Sequence, residues 1–207
     1  MRKQERILKM HSGEPAEKRL TIRQDRLEDE LLPLLVGKVF HVTSLTGYRA
    51  IVSDGFIDSN GEGAYPFTTP FSQSCFGTLN AYVNLCDLRD KSINCSRRLR
   101  SSYDFLCPVS GCERSTSFAH MILSVHAYDG LIPWTAARTG SGDTWRVGLD
   151  KYVPRLECWD PYRLSLGLIA AVYIVTVTAP PCPNPAEMLS GLAWDEMWGE
   201  GGPQRFG

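Results

Sequence analysis

Apolar and polar residues along the chain predict a handful of short strands and few helices. Lys38-Val-Phe-His-Val-Thr-Ser44 reads as a strand over 38–43. A helix over about 45–53 follows it, capped by Ser44 or Thr46 and stopped at Asp54-Gly55, where glycine tolerates the left-handed conformation. Further strands are predicted at 81–86, in the apolar segments 118–127 and 152–159, and at 171–178. From Glu14 to Leu35, apolar residues fall at Leu20, Leu27, Leu31, Leu34 and Leu35 with charges between them. That spacing predicts an amphipathic helix, ended or kinked by Pro33 and separated from the next element by Gly37. Residues 58 to 80 carry Asn60-Gly61, Gly63, Pro66, Pro70 and Gly77 among Ser, Thr and Gln, and read as a long polar loop. Scattered strands with few helices make the expected class α+β.

The longest apolar run, Leu164 to Ala179, is closed by Pro180-Pro181 and falls short of the roughly 20 residues a membrane-spanning helix needs. Its second half, Ala171-Val-Tyr-Ile-Val-Thr-Val-Thr178, is rich in β-branched residues and reads as a core strand. No membrane partner is expected. With 207 residues, 43% hydrophobic and 22% charged, the chain suits one globular domain. A net charge of −1 gives no global pull toward nucleic acid. Seven cysteines, an odd number, and a charged start without an apolar leader point to a reduced, cytoplasmic protein.

Several chemistries are weakly provided for. Cys107 and Cys112, followed by His120 and His126, approach a zinc-finger spacing. The segment 118–126, read as a strand, would however hold the two histidines roughly 20 Å apart, so no metal is expected. No cysteine is singled out as a nucleophile, although Cys75 lies in the polar loop, and Gly-x-Ser-x-Gly and phosphate-binding loops are absent. The basic run Arg89, Lys91, Arg97, Arg98 and Arg100 reads as a solvated surface or as a nucleic-acid contact through Arg97, Arg98 and Arg100. What remains is His41 on one strand and Glu157 on another. Alternation puts Arg155, Glu157 and Trp159 on one face of that second strand, with Leu156 and Cys158 on the other.

The run Phe40-His-Val-Thr-Ser-Leu-Thr-Gly-Tyr-Arg-Ala-Ile-Val-Ser-Asp-Gly-Phe-Ile57 resembles the opening of ADP-ribosyltransferase-like domains, including their DNA-modifying toxin branch and the RNA 2′-phosphotransferase relatives. There a strand bearing His-x-Thr leads into a helix and then a glycine followed by an aliphatic residue. Val153-Pro-Arg-Leu-Glu-Cys-Trp159 looks like the family's glutamate strand. The resemblance, which covers about residues 38 to 178, implies a split β-sheet core over 37–179; the residue pattern around it predicts an N-terminal helical extension over 1–36 and a Pro/Gly-rich tail over 180–207. The resemblance also implies NAD as substrate and transfer of ADP-ribose to a macromolecular acceptor, protein or nucleic acid, by a toxin or defence effector with a possible antitoxin.

Glu157 would be the catalytic carboxylate, with His41, Thr43, Ser74 and Tyr82 binding NAD. Tyr82 stands in for the tyrosine of the second motif, and Ser72-Gln-Ser74 for a Ser-Thr-Ser triplet, neither of which has a clear counterpart here. The expected geometry is a common cleft shared by His41 and Glu157. The alternatives are NAD hydrolysis or 2′-phosphate transfer on the same fold, or a non-catalytic nucleotide- or protein-binding module.

Overall fold

The computed structural model describes residues 15–63, 76–90, 116–135 and 156–178. Within them the architecture is α+β. One mixed sheet of seven strands carries the molecule, in the order β1-β9-β5-β2-β4-β7-β6. Its strands are β1 (Ala16–Arg23), β2 (Val39–Ser44), β4 (Val83–Asp87), β5 (Thr116–Leu123), β6 (Ile132–Pro133), β7 (Glu157–Asp160) and β9 (Ile169–Thr178). All neighbours run antiparallel except β1 and β9. A second, two-stranded sheet joins β3 (Phe56–Ile57) to β8 (Leu164–Ser165).

The helix expected from Glu14 to Leu35 is replaced by a strand and two single-turn helices. Over Ala16–Arg23 the apolar residues Leu20 and Ile22 alternate with Arg19, Thr21 and Arg23, which is a strand period rather than a helical one. Parallel pairing with β9, from Ala16 opposite Ala171 to Arg23 opposite Thr178, satisfies this backbone. The first 36 residues therefore contribute a strand to the main sheet. Helices α1 (Leu27–Glu30) and α2 (Leu32–Leu35) follow. Pro33 stands in the first turn of α2, where its missing N–H costs no helical hydrogen bond.

The segment after β2 folds as its sequence suggests. Helix α3 (Leu45–Asp54) begins at Ser44, whose hydroxyl accepts the Gly47 N–H at 3.1 Å. It ends at Gly55, left-handed at φ 77°, whose N–H returns to the Ile51 carbonyl. Among the described residues of the 58–80 stretch, a turn of helix, α4 (Phe76–Leu79), lies just before β4. Strand β5 stops at Leu123, and His126 lies in the 3-10 turn Val125–Gly130 that follows. The extended spacing invoked above to hold His120 and His126 apart therefore does not exist. Cys107, Cys112 and the tail from 180 onward lie outside the described residues.

Both faces of the sheet are covered. On one face Phe40, Cys86, Phe118, Ile122, Val175 and Val177 pack with Leu27, Leu31, Leu32 and Leu35 of the α1–α2 segment. On the other, Val39, Leu85, Met121, Cys158, Val172 and Ile174 pack with Ile57, Leu164 and Leu168, and against Leu45, Tyr48 and Ile51 at the base and along α3. No helix among the described residues is long and apolar enough to cross a membrane.

Leu35 is fully buried in the first of these layers, whereas Val52, on the outer side of α3, is about half exposed. Leu35→Ala is expected to cost about 2–5 kcal/mol, and Val52→Ala to stay within roughly 0.5 kcal/mol. Urea unfolding of both variants measures the contrast. Equal effects would mean that the α1–α2 segment does not cover the sheet.

Candidate functional site

Strand register decides which side chains can meet. Residues directly opposite one another on paired strands project to the same face, and neighbours along a strand to opposite faces. Phe40 pairs with Cys86, and Cys86 pairs with Glu157. Glu157 therefore shares the Phe40 face, under α1 and α2. His41, one residue on from Phe40, pairs with Met121, and Thr43 pairs with Ala119. Both belong to the opposite face, under α3. The expected common cleft for His41 and Glu157 does not form: β4 lies between their strands and the pleat turns them apart. Alternation holds for Glu157, Cys158 and Trp159 within β7, but Leu156, expected on the Cys158 face, precedes the strand and packs in the Phe40 layer while Cys158 packs in the other. Relative phase also depends on β4, which the two segments by themselves do not reveal.

Tyr82 goes with Glu157 rather than with His41. Its ring meets Phe76 edge-on at 5.9 Å, in an aromatic cluster with Trp134 and Trp159. Trp159 pairs with Asn84, two residues along from Cys86, and so lies on the Glu157 face. Ser74, Cys75, Arg97, Arg98 and Arg100 lie outside the described residues. Arg89, the first cation of the basic run, is engaged. Its guanidinium makes two hydrogen bonds to Asp87 at 2.9 and 2.6 Å and stacks over Tyr128.

A carboxylate that the sequence reading passed over shares the His41 face. Asp160 pairs with Val83, three residues from Cys86 and therefore of opposite phase. It is fully buried, and its Oδ1 accepts the Tyr162 N–H at 2.8 Å, closing the turn after β7. The signal that finds it is parity: an acid three residues after Glu157 on one strand projects the other way.

His41 itself sits at an opening in the sheet. Strands β2 and β4 form only two paired positions, Val39 with Asp87 and Phe40 with Cys86, whereas β2 stays paired with β5 as far as Ser44. Where β2 leaves β4, the imidazole Nδ1 lies 3.0 Å from the Asn84 carbonyl oxygen. A carbonyl only accepts, so Nδ1 carries the proton. Burial holds the imidazole below its ordinary pKa, against the Asn84 carbonyl, which acts in the other direction. A neutral ring protonated at Nδ1 leaves Nε2 as an acceptor. The Thr43 hydroxyl lies against the first turn of α3, where a Cβ on Gly47 would fall 2.2 Å from its Oγ1. A half-buried acceptor and a hydroxyl, set two residues apart on one strand face beside the start of a helix, can bind a polyol edge such as a ribose.

The remaining chemistry is muted. Cys86 and Cys158 are buried thiols outside any disulfide, and burial pushes the Cys158 thiol well up, away from thiolate reactivity. Among the described residues no three His, Cys, Asp or Glu side chains come together to hold a metal ion. No protein-family model, no curated protein and no solved structure matches this chain.

Two measurements probe this corner. An alanine in an exposed helix is ordinarily favoured over glycine by about 1 kcal/mol, but here its methyl meets Thr43 Oγ1. Gly47→Ala is expected to destabilise by about 1–3 kcal/mol, and Thr43→Ala in the same chain to recover much of the loss. Urea melts of the two single variants and the double variant give the coupling, and strict additivity would refute the contact. The second concerns pH. His41 is held below the value of about 6.5 that it has in the unfolded chain. Between the two values the unfolded chain binds more protons, so stability is fully present above about pH 6.5 and is lost as pH falls toward the folded value. Urea midpoints across pH 5 to 8 should fall more steeply on the acid side for the wild type than for His41→Gln.

Proposed function

We propose that this chain is an ADP-ribosyltransferase-like domain that binds NAD at the opening between β2 and β4 and transfers ADP-ribose to a macromolecular acceptor. The observation that carries the reading is His41: a neutral imidazole on a His-x-Thr strand, fixed through Nδ1 and offering Nε2 as an acceptor for a ribose hydroxyl. The order of elements supports it. His41-Val-Thr43 runs directly into the capped helix α3, then into left-handed Gly55 and the short strand Phe56–Ile57.

In such a reaction the bond between nicotinamide and ribose breaks, nicotinamide leaves with the bonding electrons, and the acceptor's nucleophile forms the new bond at the anomeric carbon. Positive charge develops on the ribose, and a carboxylate near its 2′-hydroxyl stabilises it. The register weighs against Glu157 supplying that charge to a ligand resting on the His41 face, where the acid on β7 is Asp160. The same separation favours a second reading, a nucleotide-binding module without turnover.

Incubation with NAD labelled in its ADP-ribose half separates these outcomes. Transfer gives free nicotinamide and a labelled acceptor, hydrolysis gives free nicotinamide alone, and the binding module gives neither while still retaining NAD. His41→Ala should weaken NAD binding at least tenfold, because an acceptor made before the chemistry is gone. Loss of the acting carboxylate, by Glu157→Gln or Asp160→Asn, should lower turnover about 10²–10³-fold with NAD affinity largely kept. Thermal melts verify that each variant is folded. A folded wild type that does not bind NAD would end the proposal.

A further inference from the structure

His41 does not orient itself. Its Nδ1 partner is a backbone carbonyl, so the ring is only as fixed as the peptide carrying that oxygen. The peptide is Asn84, and its side chain is held from the other side of the strand. Asn84 Nδ2 donates to Thr78 Oγ1 at 3.2 Å. Thr78 belongs to α4 and is itself buried. Beside it Gly77 leaves room for the amide: a Cβ there would lie 2.0 Å from Asn84 Oδ1 and 2.6 Å from the Trp159 ring.

The corner between α4 and β4 is closed tightly. Tyr82 N–H donates to the Gly77 carbonyl at 2.7 Å and Ala81 N–H to the Thr78 carbonyl at 3.1 Å. Ala81 takes the left-handed conformation at φ 56°, which an alanine adopts at a cost. The Asn80 side chain donates back to the Phe76 carbonyl at 2.9 Å. This corner has one rigid product on the His41 side, the position of the Asn84 carbonyl.

We propose that Asn84, anchored by Thr78 and seated against Gly77, is the positioning residue that fixes the orientation and tautomer of His41. The inference rests on His41 being the ribose-facing group for its functional meaning, but its physical content is separate from any ligand. The α4 corner acts on the face where no ligand is placed and reaches the other face through one backbone oxygen. β7 holds the β4 backbone on its other edge, with Asn84 opposite Trp159, so loss of the Thr78 contact shifts the Asn84 carbonyl rather than freeing it. The Nδ1–H···O bond that selects the tautomer then weakens, and the imidazole samples both tautomers. Nε2–H would offer a donor where an acceptor is needed.

The test reads His41 directly. Two-bond 1H–15N correlation spectra of the imidazoles in the full chain, with His41 assigned by the His41→Gln variant, should show one Nδ1–H tautomer in the wild type at pH 7.5. Thr78→Val, Asn84→Ala and Gly77→Ala should each convert it to a mixture, while Thr78→Ser, which keeps the acceptor, should retain the wild-type pattern. A thermal melt and the amide spectrum identify variants that remain folded. Thr78→Val is the mildest and decides the matter if the other two unfold. A single unchanged tautomer in folded Thr78→Val overturns the inference, as does a mixture in the wild type. Titration with NAD is the second arm. If wild type binds it, the variants with mixed tautomers should bind at least tenfold more weakly, and unchanged binding would overturn the positioning role. If wild type does not bind NAD, the functional reading fails, and the tautomer result still decides the inference.

Discussion

Burial of the central sheet on both faces is the constraint from which the rest follows. Strands β5, β2 and β9 carry apolar side chains up and down, so two separate sets of elements must cover them. The α1–α2 segment supplies one cover and α3 with the small β3–β8 sheet supplies the other. Many polar groups are then placed at an edge, where β1 exposes Glu17, Arg19, Thr21 and Arg23, or at an interruption in the pairing. The parting of β2 from β4 is such an interruption. His41 fills it by bonding the Asn84 carbonyl, which is how a histidine sits in a largely apolar layer at tolerable cost.

Local signals were legible where a residue's role depends on near neighbours. Ser44 capping α3 and Gly55 ending it are decided within a few positions; the sequence named Ser44 as one of two candidate caps and placed the stop at Asp54-Gly55. The strands at β2, β4 and β9 were found from composition and period, with shifts of one or two residues at their ends, whereas β5 was read about four residues too far, through the 3-10 turn that follows Leu123. The N-terminal segment misled because Leu20, Leu27, Leu31 and Leu34 fit a helical stripe as long as Ile22 is ignored. Counting Ile22 restores the alternation with Arg19, Thr21 and Arg23. Nothing within Ala16–Arg23 announces that its partner is β9; only tertiary pairing decides that.

The candidate site was legible in its parts and not in its assembly. His41 and Thr43 share a face because they are two apart on one strand, and that parity is in the sequence. Whether Glu157 joins them depends on how β2 registers with β4 and β4 with β7, and one residue of slip anywhere in that chain reverses the answer. Asp160 shows the same lesson from the other side. Asn84 was invisible as a functional candidate because its contact with His41 is made by its backbone, which no residue identity encodes.

The parallel pairing of β1 with β9 has a kinetic consequence. Residue 16 meets residue 171, so the first of the described strands in chain order has as its sole neighbour among them the last. During synthesis the apolar side chains of Leu20 and Ile22 have no described strand to join until residues 171–178 have been made. Contacts so far apart in sequence bear a large loop-closure entropy, and folds dominated by them assemble slowly. The charges at positions 17, 18, 19 and 23 keep this waiting strand hydrated and discourage it from pairing with the wrong edge. Seating β1 therefore waits on β9, about 150 residues further along the chain.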